Sequence, residues 1–330
     1  MKAVPRKSKR RATQISRRGQ HKHVSGNNVQ YSAADLDRFR QVQRLAYDIA
    51  LRVESQLQVG ITEIEACTLI AAAQTQFEVI QVFHDPYVLF DRRTALASGT
   101  ESAETRALEG AGTGVTGISP SNELVPTTQA LRDGAPVVID LAPVAHGVSS
   151  DVAYSCVLGT NRVFEELDAG LARIRSFLQE GIASRTSMLA LYHELDERLA
   201  VRGWESCHHR QADRALGHLV FPLEHETDRP TPLPGWGAVA AEKMLAAGID
   251  ALDHGTCYPL WNDSSFTDYP ATPGLWAIEP HIGLDGVGVK FEELLVVTDD
   301  DAYWLDDDLP HVRRWAKARY NTSSLKATPA

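Results

Sequence analysis

A carboxylate stands inside an apolar run, Pro136-Val-Val-Ile-Asp-Leu141, in a stretch whose residues favour a buried strand. Asp is costly in such a place unless it is paired, hydrogen-bonded or bound to a cation. Taken alone, Asp140 fits a hydrogen-bonded structural role. Asp151 changes the reading. The run Val152-Ala-Tyr-Ser-Cys-Val-Leu158 is a second strand, and Gly147 and Ser149-Ser150 lie in the turn between the two. An antiparallel hairpin there brings both carboxylates together. Two adjacent carboxylates repel, and a shared divalent cation resolves the repulsion. The pattern recurs. Glu279 ends the apolar strand Leu275-Trp-Ala-Ile-Glu279, and Glu292 sits inside Val289-Lys-Phe-Glu-Glu-Leu-Leu-Val-Val297, with a Gly-rich turn between them. His218 is one imidazole among the apolar neighbours of a further strand, Ala215–Phe221. Four carboxylates and one His, all on strands, suit an oxygen-rich two-metal site of the Mn, Co, Fe or Zn kind.

The chain repeats its own plan. Ser32-Ala-Ala-Asp35 opens a helix with apolar residues at helical spacing through Val53, which is expected to end near Val59-Gly60. Thr62-Glu-Ile-Glu65 opens a second helix through about Gln76. In the other half, helices are expected over about 162–180 and 187–202, the latter closed by Gly203. Leu57-Gln-Val-Gly-Ile61 matches Leu178-Gln-Glu-Gly-Ile182, and strands follow each helix pair. An internal duplication accounts for the order. Residues 226–274, rich in Pro and Gly with one helix at 238–247, read as an insertion or lid.

Charge divides the chain. Residues 1–30 hold nine Lys/Arg and no Asp or Glu, which leaves 24 basic against 43 acidic residues in the rest. The basic segment has almost nothing apolar to bury and reads as a disordered tail or solvated arm, able to touch RNA or another acidic surface. Residues 31–320 form the expected catalytic domain, and 321–330 a loose C-terminal tail. The acidic body disfavours nucleic acid as a partner. Cys67, Cys156, Cys207 and Cys257 are widely spaced, with no CxxC, and read as reduced core thiols. No apolar run of about 18 residues exists to span a membrane, so a cytoplasmic location is expected.

With these residues in place, the sequence resembles the methionine aminopeptidase, prolidase and aminopeptidase P group. Ile139-Asp140 followed by Asp151 resembles the group's paired-Asp hairpin, and Gly217-His218 its metal His. His225 resembles its second, substrate-facing His. Ala277-Ile-Glu279-Pro280 is similar to its "IEP" strand, and Val289-Lys-Phe-Glu292 to its "VRIE" strand. The resemblance covers roughly residues 32–310 and implies an α+β pita-bread (creatinase/aminopeptidase) fold with pseudo-twofold halves around a curved antiparallel sheet. It further implies two divalent metal ions, Mn foremost, held by Asp140, Asp151, His218, Glu279 and Glu292. Catalysis would fall to a metal-bridging hydroxide, with Glu279 as general base and His225 on the scissile carbonyl or the developing oxyanion. The implied partners are a small-molecule or short-peptide substrate and a second copy of the chain in a homodimer.

Three departures bear on the substrate. The group usually carries a substrate-contacting His about 17 residues before its first metal Asp. Here that region reads Ser119-Pro-Ser-Asn-Glu-Leu-Val-Pro126, with no His, and His84 in Phe83-His-Asp-Pro86 would have to substitute spatially. The group's small residues after the metal His become Leu219, Val220 and Phe221, which narrows the pocket. His281 follows Pro280 where the group has Gly, and reads as a loop residue or one facing the site. His208 and His209 read as solvated or supporting residues. The leading expectation is an aminopeptidase or Xaa-Pro dipeptidase. The alternative is a non-peptidase metalloenzyme on the same scaffold, acting on a small amide, amidine or specialised metabolite. A non-catalytic peptide-binding protein is the minor alternative, and retention of all five ligands weighs against it.

Overall fold

The computed structural model describes residues 31–79, 81–96, 124–211, 213–223 and 237–318. The first half runs α1 (Ala33–Glu54), α2 (Glu63–Gln76), β1 (Gln81–Val82), β2 (Tyr87–Phe90), β3 (Pro136–Leu141), β4 (Pro143–Ala145), β5 (Val148–Ser149) and β6 (Val152–Val157). The second half runs α3 (Arg162–Ala183), α4 (Met188–Val201), β7 (Glu205–Ser206), β8 (Gly217–Leu219), α5 (Ala238–His254), β9 (Leu260–Trp261), β10 (Gly274–Ile278), β11 (His281–Leu284), β12 (Val287–Lys290), β13 (Glu293–Val297), β14 (Ala302–Trp304) and α6 (Pro310–Lys317).

The sheets match half for half. β3 lies between β2 and β6 as β10 lies between β8 and β13, and β4 lies between β1 and β5 as β11 lies between β7 and β12. β9 and β14 extend the second half's larger sheet. Each half has its own core. α1 and α2 pack on β3 and β6 through Ala46, Ile49, Val53, Ile139 and Val152, and α3 and α4 pack under Trp276, Ile278 and Leu295. The other face of α1 sends Phe39 and Val42 against Leu275 and Leu294, joining the halves. Among the described residues no helix is long and apolar enough to cross a membrane.

Both helix pairs start where the sequence places them, with capping boxes at Ser32 and Thr62 and side-chain caps at Asn161 and Ser187. Some boundaries differ. α1 stops at Glu54, because the segment that follows is drawn into backbone pairing with residues 129–131: Gly60 N–H donates to Leu131 O and Leu131 N–H to Ile61 O. The expected long strand over 289–297 is two strands. β10 pairs with β13 and β11 with β12, so both chains leave one sheet for the other, at Glu279-Pro280 and at Phe291-Glu292. Pro280 has no N–H to continue the ladder. α5 continues to His254, beyond the expected end at residue 247.

Candidate metal centre

These crossover points position the acidic residues. Asp140 is the penultimate residue of β3, and Asp151 precedes β6; in the other half Glu279 follows β10 and Glu292 precedes β13. Backbone bonds then join the halves: Glu292 N–H donates to Ala153 O, and Glu279 N–H to Leu216 O beside His218. β8 lies against β10 at the Gly217↔Ile278 pair, so closely that a Cβ on Gly217 would stand 2.5 Å from Ala277 O. All five expected residues are buried, and they converge.

The charges fall into two groups. In the first, His218 Nδ1–H donates to Leu219 O at 3.1 Å, so the neutral ring keeps its lone pair on Nε2. That Nε2 lies 3.5 Å from both Asp151 Oδ2 and Glu292 Oε1. Glu292 Oε1 is buried and has no hydrogen-bond partner. Asp151, His218 and Glu292 each bring one ligand atom within 4.8 Å of the others. A lone pair facing two carboxylates, one of them orphaned, is the arrangement a divalent cation stabilises. The second group surrounds a lysine. Lys290 Nζ donates to Asp140 Oδ2 at 2.8 Å and lies 2.9 Å from Glu279 Oε2 and 3.1 Å from Glu292 Oε2. Tyr87 OH also donates to Asp140 Oδ2, at 2.7 Å.

Proton affinities follow from burial and these neighbours. Burial works against the charged forms of Lys290 and His218, yet the carboxylates around them push both well above their ordinary values. Burial raises Glu279 to about 8, Lys290 opposing it, and raises Glu292 together with the Asp151 charge. Asp151 moves the other way: despite burial, His84 and His218 hold it below the usual carboxylate range.

His84 stands in the sequence only as a spatial substitute, and Lys290 only as part of a strand motif. His84 Nε2 sits 2.9 Å from Asp151 Oδ1 and 3.4 Å from Asp140 Oδ1, while Nδ1 contacts Asp85 O. His84 is therefore a sixth member of the centre, reaching it from the segment between β1 and β2. His225, the expected substrate-facing residue, lies outside the described residues. His281 does not face the centre: its Nε2–H donates to Thr94 O at 2.6 Å, and burial lowers its pKa to about 3. His208 is fully buried rather than solvated; His209 is partly exposed, and both turn toward Asp196.

The wall packed against His218 is aromatic and aliphatic. Phe83 stacks on His218 with ring centroids 5.8 Å apart, and it packs with Phe221, Leu223, Ala240 and Met244. Ala240 and Met244 belong to α5, so the expected insertion supplies part of this wall. Gly237 N–H donates to Phe83 O at 2.7 Å, fixing the start of α5 against it.

Comparisons with known proteins bear on the family and the fold. The family model described as metallopeptidase family M24 matches residues 37–299. The fold is similar to that of X-Pro aminopeptidase from Thermotoga maritima (TM-score 0.54, 15% identity, 84% of this chain and 62% of that one). It is also similar to the prolidase of Pyrococcus horikoshii (0.54, 15%, 86% and 65%) and to an Escherichia coli aminopeptidase P variant (0.52, 12%, 89% and 61%). The chain thus spans less than two thirds of the length of each. No curated protein sequence matches it. The architecture is the pita-bread fold of these proteins.

Proposed function

The chain belongs to metallopeptidase family M24, and on that premise we propose that it is a divalent-metal hydrolase cleaving an amide bond in a small or short-peptide substrate. The observation that carries this reading is the convergence of four buried carboxylates and two imidazoles, with Glu292 Oε1 left without a hydrogen-bond partner. The donor set fits Mn, Fe, Co or Zn. Asp151, His218 and Glu292 would hold one cation. Asp140, Glu279 and Glu292 would hold a second, which has to displace the Lys290 ammonium from among them. The two positions are therefore unequal. When bound, the cations supply a Lewis acid and lower the pKa of a water toward neutrality.

The chain's own residues do the rest. Glu279 takes a proton from the attacking water and returns it to the departing amine. His84 Nε2, which faces Asp151 and Asp140 here, would be released from them when a cation takes up those carboxylates and would then donate to the carbonyl or its developing oxyanion, the task for which the sequence offered His225. Phe83, Phe221 and α5 restrict the space beside His218. Removing one oxyanion donor typically costs about 100- to 1,000-fold in rate, and His84→Ala is expected to lose that in kcat with a smaller change in KM.

The restricted wall favours a second reading of the substrate, a small amide or specialised metabolite rather than a peptide. Turnover of Xaa-Pro dipeptides and of small amides, with Mn2+ supplied and with chelator, tests both. Chelator-sensitive turnover that is weak on Xaa-Pro dipeptides and faster on the small amides is expected. Xaa-Pro turnover in the ordinary enzyme range, about 1–1,000 per second, assigns a plain peptidase. Hydrolysis unaffected by chelator contradicts the metal reading.

A further inference from the structure

A second cluster of metal-ligating side chains lies outside the acidic centre and shares no residue with it. Asp196 projects from α4 beside His208 and His209, which sit on the 3-10 turn Cys207–Arg210 after β7. One ligand atom from each lies within 4.8 Å of the other two. His208 is fully buried. Its Nδ1 lies 3.3 Å from His281 O, an atom that can only accept, so Nδ1 carries the proton and the neutral ring's lone pair is on Nε2. Nε2 has no hydrogen-bond partner and points at Asp196 Oδ1, 3.5 Å away. A buried imidazole lone pair facing a half-buried carboxylate is unfavourable unless a cation or a proton stands between them. Asp196 Oδ2 meets His209 Nε2 at 2.9 Å, and Ser206 OγH donates to Oδ1 at 2.6 Å.

We propose that Asp196, His208 Nε2 and His209 Nε2 bind a zinc-class divalent cation, leaving a fourth position open on the partly exposed His209 side. Tetrahedral bonds of about 2.0–2.2 Å hold donor atoms roughly 3.3–3.6 Å apart; the His208–Asp196 separation of 3.5 Å matches, and the His209–Asp196 separation of 2.9 Å has to widen as the ion enters. A metal-ligating His commonly donates its other ring N–H to a backbone carbonyl, as His208 does. Arg214 Nη2, 3.2 Å from His209 Nδ1, must yield when His209 turns its lone pair to the metal, and it keeps its ion pair with Asp263 at 2.9 Å. The bound ion clips α4 to the turn after β7 and, through His281 O, to the strand that follows Glu279.

The test is zinc content of the full chain after chelation and dialysis against zinc. Asp196→Asn and His209→Asn are expected to hold one equivalent less than the wild type, with hydrolysis retained. Asp151→Asn/Glu292→Gln is expected to keep that equivalent. Cobalt loading gives a second readout, a visible absorption band that His209→Asn removes. If Asp196→Asn fails to fold, His209→Asn, on a partly exposed side chain, still decides. Equal zinc content and equal cobalt spectra in wild type and His209→Asn overturn the site and leave His208 and Asp196 as a proton-bridged pair.

Discussion

Lys290 is the residue that most alters the chemistry read from the sequence. Four carboxylates in one cavity repel, and the structure offsets three of them with a single buried ammonium. Its backbone is pinned from both sides by Ser155, whose hydroxyl donates to Lys290 O and accepts from Lys290 N–H. Replacing it by Met leaves Asp140, Glu279 and Glu292 uncompensated, and breaking a buried pair costs about 3–5 kcal/mol. The metal-free Lys290→Met protein is therefore predicted to melt lower than wild type and to take up a second Mn2+ ion at concentrations where the wild type holds one. Calorimetric stoichiometry checks this, and an unchanged second-site affinity would remove Lys290 from the competition. Asp140, His218, Glu279 and Glu292 were legible as polar groups in an apolar strand context, and Asp151 as the carboxylate that the hairpin turn carries back to Asp140. Lys290 was not: a continuous strand would put it on the same face as Glu292, but nothing in the sequence pairs its ammonium with Asp140 and Glu279. His84 lies in a segment too short to show any period.

At the scale of elements, the helix starts were legible because caps are local chemistry, whereas the strand breaks were not. Nothing in Val289–Val297 marks the switch at Phe291-Glu292, which is set by pairing with β10 on one side and β11 on the other. Directly after the switch Glu293 faces the opposite way, into a buried cluster with Arg175 (2.8 Å) and His311 (2.7 Å). Burial disfavours the charge on Glu293, but Arg175 and His311 outweigh it and lower its pKa. His311 is also lowered, chiefly by burial. Both groups bind protons more readily unfolded than folded, so stability is full above the unfolded values, about 6.5 for His and 4.3 for Glu. It falls as pH drops through them. Glu279, Glu292 and His218 bind protons more readily folded than unfolded and pull the opposite way, so the test is a difference between variants. In denaturant unfolding of metal-stripped protein Glu293→Gln, which strands Arg175, is predicted to cost about 3–5 kcal/mol at pH 7.5 and less as pH falls below about 4.3. A cost that does not change with pH would remove Glu293 from the account.

The whole molecule is two similar halves, each with its own core, whose strands change sheets at the same internal points and meet there. That architecture supplies the acids in pairs, Asp140 and Asp151 from one half, Glu279 and Glu292 from the other, which is why the duplication and the acid spacing were readable together. The basic segment at residues 1–29 holds few apolar side chains. Its removal is predicted to leave the melting transition and metal binding unchanged, and loss of a cooperative melt would show that it packs on the body. The central claim is that the paired halves build a divalent-metal centre. Mn2+ titration by calorimetry of the metal-stripped full chain, beside Asp151→Asn whose fold is verified by circular dichroism, tests it most directly. Saturable Mn2+ binding in the wild type, weakened at least tenfold or lost in Asp151→Asn, is the predicted result. No Mn2+ binding to the wild type, or equal binding to a folded Asp151→Asn, would contradict it.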